Sequence, residues 1–484
     1  MFLCREKELG ILNKRYRNNS FECAVIYGRR RIGKTALINE FVSGKKAIYY
    51  SALKSTARDN LIALSKAVYV YSNPDALEAP EYPSFDAALS AITYIAKKEK
   101  VVLVIDELPY LAEADESILS RLQHYIDHEW ANTELFLILC GSSVSFMENK
   151  VLSEKSPLFG RRTCQLKIEP LTYLETAKFN PDLSPVENAM VFAITGGVPH
   201  YINKLDIKGN NNSITDALKE NFFDPSAYLF EEPGNLLRQE LREPSIYNSI
   251  ITAIANGNTK LGNIANATGL ETSSCVQYIN KLTELGIISK IEPVVDKSKR
   301  KTQYRITDQF FRFWYRFVPA NNMSIVSGNI KRLFDAAVWS YMSQYMGLSF
   351  EVICLQYLTY YAENLPFVIS DIGEWWGSIP VITETGEKRN IEAQLDIVAV
   401  SKKPNNISGG NSYIIGSCKY TNDPVGIDEL GLIRTYAAKF TTAEDSCHYW
   451  LFSKSGFSDE LTGIAEKEGV ILTNISDMFD LKML

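Results

Sequence analysis

Apolar residues in the first third of the chain follow two alternating patterns. Short continuous runs predict strands that are buried on both faces of a sheet, at residues 25–27, 46–50, 101–106 and 135–140. Apolar residues at helical spacing predict helices before and between these runs, at residues 6–17, 56–70 and 84–98. Strands that alternate with helices are typical of a parallel sheet covered by helices, so we expect an α/β core over residues 1–168.

Beyond residue 168 the pattern of apolar positions changes again. Helical spacing interrupted by glycine and proline predicts a small helical subdomain at residues 169–245. Residues 246–318 predict three helices followed by a two-stranded hairpin, and residues 330–484 predict a second domain that contains both helices and strands. The expected fold is therefore multidomain, with an α/β part at each end of the chain.

The turn between the first strand and its helix carries a phosphate-binding motif. It fits the pattern G-x-x-x-x-G-K-[ST] with Gly28, Arg29, Arg30, Arg31, Ile32, Gly33, Lys34 and Thr35, and Ala36 follows in the helix. Backbone N–H groups of such a loop surround phosphate oxygens, and the helix N-terminus adds partial positive charge. We expect Lys34 to neutralise the β- and γ-phosphates and Thr35 to hold Mg²⁺, which predicts a P-loop NTPase core. The alternative is a structural glycine turn.

Two acids end the third apolar run. Asp106 and Glu107 follow Val104 and Ile105 at the carboxyl end of a predicted buried strand. Asp106 would bind Mg²⁺ together with Thr35, and Glu107 would orient and deprotonate the attacking water. The alternative is a pair of acids that caps the next helix, but Pro109 and the apolar run favour hydrolysis.

Polar residues after the fourth strand are further candidates for the nucleotide site. Ser142 follows this strand and could contact the γ-phosphate or the attacking water, although a loop turn explains it equally well. Arg161 and Arg162 lie on a predicted loop and could stabilise charge in the transition state, in the same subunit or across a subunit boundary. A solvated charge pair is the equal alternative for these two arginines.

Composition limits the class of protein. The chain has 484 residues, of which 46% are hydrophobic and 22% charged, with a net charge of −6, so the molecule as a whole is not a polyanion-binding protein. Its eight cysteines are scattered without a C-x-x-C motif, which favours a reducing compartment over a disulfide framework or structural zinc. Charges near the start and the lack of a long apolar run predict a cytoplasmic protein that does not cross a membrane.

These motifs resemble a known family. Phe2, Arg5, Glu6, Glu8 and Leu9, the phosphate loop, the Asp106–Glu107 pair and a later run from Gly196 to Tyr201 look like the archaeal-type ATPase family, which belongs to the signal-transducing ATPases related to AAA+ proteins. The resemblance implies that the Gly-Gly-x-Pro segment lies in a helical lid over the nucleotide. On that basis Gly197 and Pro199 are expected near bound ATP, and residues 169–245 are expected to form the lid.

Residues 246–318 predict a winged helix-turn-helix. Its third helix offers Gln277 and Asn280 as readers of bases, but Lys281 is set against Glu284. The wing at residues 290–305 has six basic residues against two acids: Lys290, Lys297, Lys299, Arg300, Lys301 and Arg305, with Glu292 and Asp296. This excess could contact DNA phosphates, whereas a solvated hairpin that makes protein contacts is the alternative. The aromatic run at residues 308–317 is expected to be core rather than a platform for bases.

The C-terminal region contains the aromatic run at residues 308–317, Trp375-Trp376-Gly377, Leu395-Asp396-Ile397-Val398 and Gly416-x-Cys418-Lys419. These segments closely resemble the domain that follows the ATPase module in many prokaryotic proteins and that has been proposed to be nuclease-like, of the restriction-endonuclease fold. Asp396 on one strand and Lys419 on the next match a PD-(D/E)xK site, in which carboxylates hold Mg²⁺. Ser417 stands where that pattern requires glutamate, and serine is a poor metal ligand. Strand alternation places Glu392 on the face of Asp396, and Glu351 could contribute from a helix.

The sequence therefore predicts an ATP-binding and ATP-hydrolysing switch that uses Mg²⁺. Its nucleotide state would change the exposure of the winged helix and of a degenerate nuclease-like domain, with double-stranded DNA, a partner protein or a second copy of the chain as partner. Two alternatives stay open, an ATP-regulated Mg²⁺-dependent DNA endonuclease and a DNA-binding regulator that does not hydrolyse ATP. ATP is favoured over GTP because the motifs resemble an ATPase family.

Overall fold

The computed structural model describes residues 2–76, 78–207, 213–295, 297, 301–382, 388–401 and 410–483. They form two compact units. The first unit contains Met1–Pro170 and Val198–His200, and the second contains Leu171–Gly197 and Tyr201–Leu484. The predicted winged helix and C-terminal domain, with most of the predicted lid, share the second unit, and their division into separate domains stays a prediction.

A five-stranded parallel sheet is the centre of the first unit. Its strands are β1 Glu22–Tyr27, β2 Ala47–Ser51, β3 Val102–Asp106, β4 Phe136–Gly141 and β5 Cys164–Lys167. They lie in the order β2-β3-β4-β1-β5, and every neighbouring pair is parallel. The predicted parallel sheet is thus confirmed, and β1, β3 and β4 are buried along their whole length because helices cover both faces.

Helices in the first unit pack on this sheet. They are α1 Glu6–Tyr16, α2 Lys34–Val42, α3 Ala57–Ser72, α4 Phe85–Ala96, α5 Leu108–Ala114, α6 Ile118–Tyr125 and α7 Val144–Phe146. Three of them begin at a side-chain cap, since Thr56 accepts from the backbone N–H of Asp59, Ser84 from that of Ala87 and Ser143 from that of Phe146. One apolar core contains Phe41, Ile38 and Leu12 against β1 and β3, and a second core covers the opposite face.

The second unit begins with helices. The elements before its hairpin are α8 Tyr173–Ala177, α9 Pro185–Thr195, α10 Pro199–Leu205, α11 Ile214–Phe222, α12 Tyr228–Glu240, α13 Pro244–Ala255, α14 Leu261–Thr268 and α15 Thr272–Glu284. The first two residues of α10 belong to the first unit. Glycine ends α9 at Gly196, where φ is +62°, so the chain reverses before α10.

A hairpin and a long helical stretch follow α15. Strands β6 Ile288–Ile291 and β7 Gln303–Ile306 pair antiparallel, as predicted. The next helices are α16 Gln309–Phe317, α17 Asn322–Val326, α18 Ile330–Leu333 and α19 Met342–Gln356. The aromatic run is confirmed as core, since five of its rings are buried: Phe310, Phe311, Phe313, Tyr315 and Phe317.

A mixed five-stranded sheet completes the second unit. Its elements are β8 Asp371–Ile382, β9 Lys388–Ser401, β10 Ser412–Lys419, α20 Ile427–Ala437, β11 Ser446–Ser453, α21 Asp459–Glu468, β12 Ile471–Asn474 and α22 Ile475–Met478. The strand order is β12-β11-β10-β9-β8; β8, β9 and β10 are antiparallel and the other pairs are parallel. Among the described residues, no helix combines the length and apolar character needed to cross a membrane.

Candidate functional site

The phosphate-loop motif connects β1 to α2. Gly28 must be a glycine, because a Cβ there would lie 2.3 Å from the carbonyl oxygen of Ile168. Arg31 and Gly33 both have positive φ values, +70° and +92°, and Gly33 begins α2. Successive N–H groups in a turn of this kind can form a concave anion site, and the start of a helix adds partial positive charge, so the loop fits a phosphate group.

The Lys34 side chain is folded back onto the phosphate loop. Its ammonium donates to the carbonyl oxygens of Gly28 at 2.9 Å and Arg29 at 2.8 Å, and only 6% of the residue is exposed. Burial lowers the pKa of Lys34 below its ordinary value. Phosphate oxygens of a bound nucleotide could replace these two carbonyl oxygens as acceptors of the Lys34 N–H groups.

Asp106 lies at the end of β3 and faces α2. Its Oδ2 accepts from Tyr49 Oη at 2.7 Å and lies 3.4 Å from Thr35 Oγ1, while its Oδ1 accepts from the backbone N–H of Glu107 at 2.9 Å. Burial, followed by the charge of Asp106, raises the pKa of Tyr49. A hydroxyl and a carboxylate at this separation are the oxygen donors that Mg²⁺ prefers, so these residues fit a cation.

Glu107 is bound by the residue that follows β4. Its Oε2 accepts from Ser142 Oγ at 2.8 Å and from the Ser142 backbone N–H at 3.2 Å. Glu107 has φ +54°, a left-handed backbone that costs about 1–3 kcal/mol in a residue other than glycine. Gly141 allows this approach, because a Cβ on it would lie 2.9 Å from Pro109 Cδ. Glu107, with its costly backbone conformation, directly follows Asp106, the candidate cation ligand.

The other residues predicted for the nucleotide site differ in their surroundings. Pro199 lies near the loop, since a Cβ on Gly33 would be 3.9 Å from its Cγ. Arg161 forms two hydrogen bonds to Asp127, of 2.7 and 2.6 Å, and a third N–H group donates to the Pro157 and Phe159 carbonyls. Arg161 would have to leave these partners to reach a phosphate.

Arg162 is held more weakly than Arg161. It donates to the carbonyl of Leu152 at 3.3 Å and lies 5.9 Å from the centre of the Phe159 ring. Arg162 therefore has fewer of the described hydrogen bonds to give up than Arg161, and the assignments of both as charge-stabilising arginines stay predictions.

Sequence reasoning missed two residues that contact this site. Tyr49 binds Asp106, but a tyrosine in a predicted strand carries no distinguishing signal. Arg5, 7% exposed, donates to the carbonyls of Ile32 at 3.3 Å and Glu169 at 2.7 Å and so ties the phosphate loop to the segment after β5. Arg5 belongs to the motif before α1 on which the family resemblance rests, and that motif was the signal that could have identified it.

In the second unit, Ser417 joins two carboxylates. Its Oγ lies 3.3 Å from Asp396 Oδ2 and 2.7 Å from Glu429 Oε1, and Lys419 forms an ion pair of 3.1 Å with Glu429. Glu429 comes from the first turn of α20 and was not predicted. Burial raises the pKa of Asp396. The structure thus brings an acid to the place where the nuclease pattern lacks one.

The two acids proposed as substitutes for Ser417 have different surroundings, and the charge of Asp396 contributes to a pKa shift of Glu351. Glu392 is exposed, and among the described residues no hydrogen bond or ion pair joins it to Asp396. A bulge in β9, where the four residues Leu395–Val398 lie opposite the three residues Gly373–Trp375 of β8, interrupts the alternation that the prediction used. Burial and the neighbouring Asp396 raise the pKa of Glu351 to about 8. Within the described ranges, no three His, Cys, Asp or Glu residues form a metal-binding group.

Three basic residues of the predicted wing have acidic partners in the structure. Lys290 pairs with Glu292 at 2.6 Å, Lys297 with Asp371 at 2.9 Å and Arg305 with Glu374 at 2.7 Å. Asp296, Lys299 and Arg300 lie outside the described residues. The three described pairs reduce the positive charge on which DNA contact was predicted.

The first unit defines a P-loop nucleotide-binding protein, because its parallel sheet presents the phosphate loop, Thr35, Asp106 and Glu107 at one edge. Residues 2–205 match the family model of an ATPase domain predominantly from Archaea, and residues 314–429 match that of archaeal and bacterial proteins of unknown function. The chain belongs to this archaeal-type ATPase family.

Individual proteins are similar to this chain in sequence or in fold. An uncharacterised protein of Methanocaldococcus jannaschii is 34% identical over 380 residues, which cover 78% of this chain and 82% of the relative. An uncharacterised ATP-binding protein of the same organism is 44% identical over 46 residues, 10% of this chain and 78% of that protein. A Walker-type ATPase of Pyrococcus abyssi has a similar fold, with TM-score 0.51 and 18% identity over 65% of this chain and 96% of that one.

Proposed function

We propose that the chain binds ATP with Mg²⁺ at the phosphate loop and hydrolyses it. The loop N–H groups and Lys34 bind the phosphates, while Thr35 and Asp106 hold Mg²⁺, which would neutralise phosphate oxygens. Glu107 accepts the proton of the attacking water. The observation that carries this proposal is the contact between Ser142 and Glu107. Two donors of Ser142 fix the Glu107 carboxylate, and Glu107 directly follows Asp106 in the chain.

Hydrolysis serves a switch in this proposal. Pro199 begins α10 beside Gly33, and α10 continues into the second unit. Loss of the γ-phosphate would change the position of the loop and of Pro199, and the helix would carry that change into the residues that follow. The likeness to the archaeal-type ATPases supports nucleotide binding, and the geometry at Glu107 supports turnover.

Limited trypsin digestion tests the switch. Glu107→Gln should bind Mg-ATP without hydrolysing it and should give a cleavage pattern with Mg-ATP that differs from its pattern with Mg-ADP. Lys34→Ala, the matched control, should give one pattern in all conditions because it cannot hold the phosphates. Identical patterns of Glu107→Gln with both nucleotides, at saturating concentrations, would show that nucleotide state does not change the fold.

A second candidate function is Mg²⁺-dependent cleavage of DNA. The observation that favours it is Glu429, which meets Ser417 beside Asp396 and Lys419 and supplies the carboxylate absent from the strand. In this proposal Asp396 and Glu429 hold the metal and Lys419 positions water. Ser417 and Lys419 both contact Oε1 of Glu429, and the carboxylate also offers Oε2 to a metal ion.

Nicking of supercoiled plasmid DNA with Mg²⁺ tests this second candidate. Wild-type protein should nick the plasmid, whereas Lys419→Ala and Glu429→Gln should not. Glu392→Gln should nick as the wild type does, because Glu392 is exposed and no described hydrogen bond or ion pair joins it to Asp396. Nicking that persists in Lys419→Ala would identify a contaminant. If wild-type protein binds duplex DNA but neither nicks it nor hydrolyses ATP, the chain is instead a DNA-binding regulator with a nucleotide ligand.

A further inference from the structure

A cavity in the second unit combines apolar walls with unpaired positive charge. Its volume is about 590 Å³, within the range of roughly 300–1,000 Å³ that is usual for small-molecule sites. Residues of α13, β7, α16, α19 and β8 line it. Ile254, Ile306, Tyr345, Leu348 and Val352 form much of the apolar wall.

Three polar residues of the cavity form one stripe of α16. Gln309, Arg312 and Arg316 are spaced by three and four positions, so they lie on one face of the helix, while the aromatic residues between them are core. The other charged residues are Arg305, Glu351 and Glu374. The lining therefore has three arginines and two glutamates.

These charges are not matched pair by pair. Arg305 makes two hydrogen bonds to Glu374, of 2.8 and 2.7 Å, so these two neutralise each other. Arg312 and Arg316 have no ion-pair partner among the residues that the structure describes. One glutamate, Glu351, thus faces two unpaired guanidinium groups, and the cavity keeps a net positive charge.

Arg312 is fixed in place by groups that leave its charge uncompensated. Its guanidinium carbon lies 4.8 Å from the centre of the Tyr345 ring, and it donates to the hydroxyl of Ser349. Its Nε is buried and has no hydrogen-bond partner in the described part of the chain. A planar, oriented guanidinium of this kind suits a carboxylate, sulfonate or phosphate group.

We infer that this cavity is a binding site for a small amphipathic organic anion. The anionic head lies at Arg312 and Arg316, and the apolar body lies against Ile254, Leu348 and Val352. The site is separate from the phosphate loop, so its occupation is a second input to the protein. Because the ligand would contact α13 and β7 as well as α19 and β8, it would stabilise these elements together.

Fluorescence titration with 8-anilinonaphthalene-1-sulfonate, an aromatic sulfonate, tests the inference on the full chain. Wild-type protein should bind one molecule saturably, and octanoate should displace it while octylammonium, of equal length and opposite charge, should not. Equal displacement by both would overturn the inference, since a purely apolar surface does not distinguish them. Lack of saturable binding would overturn it as well.

Two variants locate the probe. Arg316→Glu should weaken binding about tenfold, because an exposed cation becomes an anion at the mouth of the cavity. Leu348→Trp should fill the cavity and reduce binding by a similar factor. Neither residue is buried, so both variants are expected to fold; Leu348 is 44% exposed.

Matched controls carry the same changes outside the cavity. Arg332→Glu reverses an exposed arginine of α18, and Leu432→Trp enlarges a leucine of α20 that is 41% exposed. Both should bind the probe as wild type does. If Arg332→Glu weakens binding as much as Arg316→Glu, or if Leu348→Trp has no effect, the probe binds elsewhere and the inference fails.

Discussion

The Ser142 hydroxyl donates a hydrogen bond of 2.8 Å to the Glu107 carboxylate, and the Ser142 backbone N–H donates to the same oxygen at 3.2 Å. The two residues come from the ends of neighbouring strands, β4 and β3. Glu107 has a backbone conformation that is costly for a glutamate, so the contact also helps to hold a strained residue. In the proposed mechanism, Ser142 is a positioning residue for the general base.

Replacement of Ser142 by alanine tests that role. Ser142→Ala removes the stronger donor and keeps the backbone N–H, so kcat for ATP hydrolysis should fall about tenfold while KM for ATP changes little. The matched control is Ser143→Ala, since the Ser143 hydroxyl only caps α7. A Ser142→Ala enzyme with wild-type kcat would show that the contact does not position the base.

Tyr49 should tune the magnesium site. It donates to Asp106 Oδ2 at 2.7 Å, so Tyr49→Phe frees the carboxylate to rotate away from Thr35. The Mg²⁺ concentration that gives half-maximal ATP hydrolysis should rise about tenfold, as is typical when a partner of a metal ligand is removed.

Tyr50 offers the control for Tyr49. Its hydroxyl donates to Asn60 rather than to the nucleotide site, at 2.8 Å. Tyr50→Phe should lower the melting temperature without changing the Mg²⁺ dependence. A Mg²⁺ dependence that is equal in Tyr49→Phe and wild type would remove Tyr49 from the account.

Glu351 should make the stability of the protein depend on pH. Burial, followed by Asp396 and Glu374, raises the pKa of its carboxyl from about 4.5 to about 8, and Arg305 and Arg312 oppose this shift. Between these values the folded protein keeps a proton that the unfolded chain releases. The folded state then binds more protons, so the free energy of unfolding falls as the pH rises from 4.5 through 8.

The variant Glu351→Gln should remove this dependence. Its melting temperature should exceed that of the wild type by roughly 3 °C at pH 8.5 and by little at pH 5. Glu392→Gln, at an exposed position, should follow the wild type at both pH values. A difference between Glu351→Gln and wild type that is as large at pH 5 as at pH 8.5 would contradict the assignment.

The sequence predicted the first unit well because its signals are local. Buried strands in a parallel sheet are continuous apolar runs, and the glycines of the phosphate loop are needed for backbone reasons that a motif records. The Ser142–Glu107 contact was beyond reach, since it depends on the close approach of Gly141 to Pro109. Tyr49 was missed because the order of the strands in the sheet, which the sequence does not show, decides which side chain contacts Asp106.

Prediction was weaker in the second unit, where contacts across the sheet decide the chemistry. Strand alternation pointed from Asp396 to Glu392, but a bulge in β9 breaks the regular period. The acid that meets Ser417 is Glu429, which comes from a helix after β10. The sequence predicted an excess of positive charge on the wing. In the structure, Lys297 and Arg305 form ion pairs with Asp371 and Glu374 of β8, a strand that is distant in sequence.

The most direct test of the account is steady-state release of phosphate from Mg-ATP, measured beside nucleotide binding. Wild-type protein should turn over, Lys34→Ala should neither bind nor turn over, and Glu107→Gln should bind with wild-type affinity but turn over at least about 100-fold more slowly. Each should be measured with and without duplex DNA. A wild-type protein that binds Mg-ATP without turnover in any condition, or a Glu107→Gln variant that hydrolyses ATP at the wild-type rate, would contradict the proposed role of Glu107.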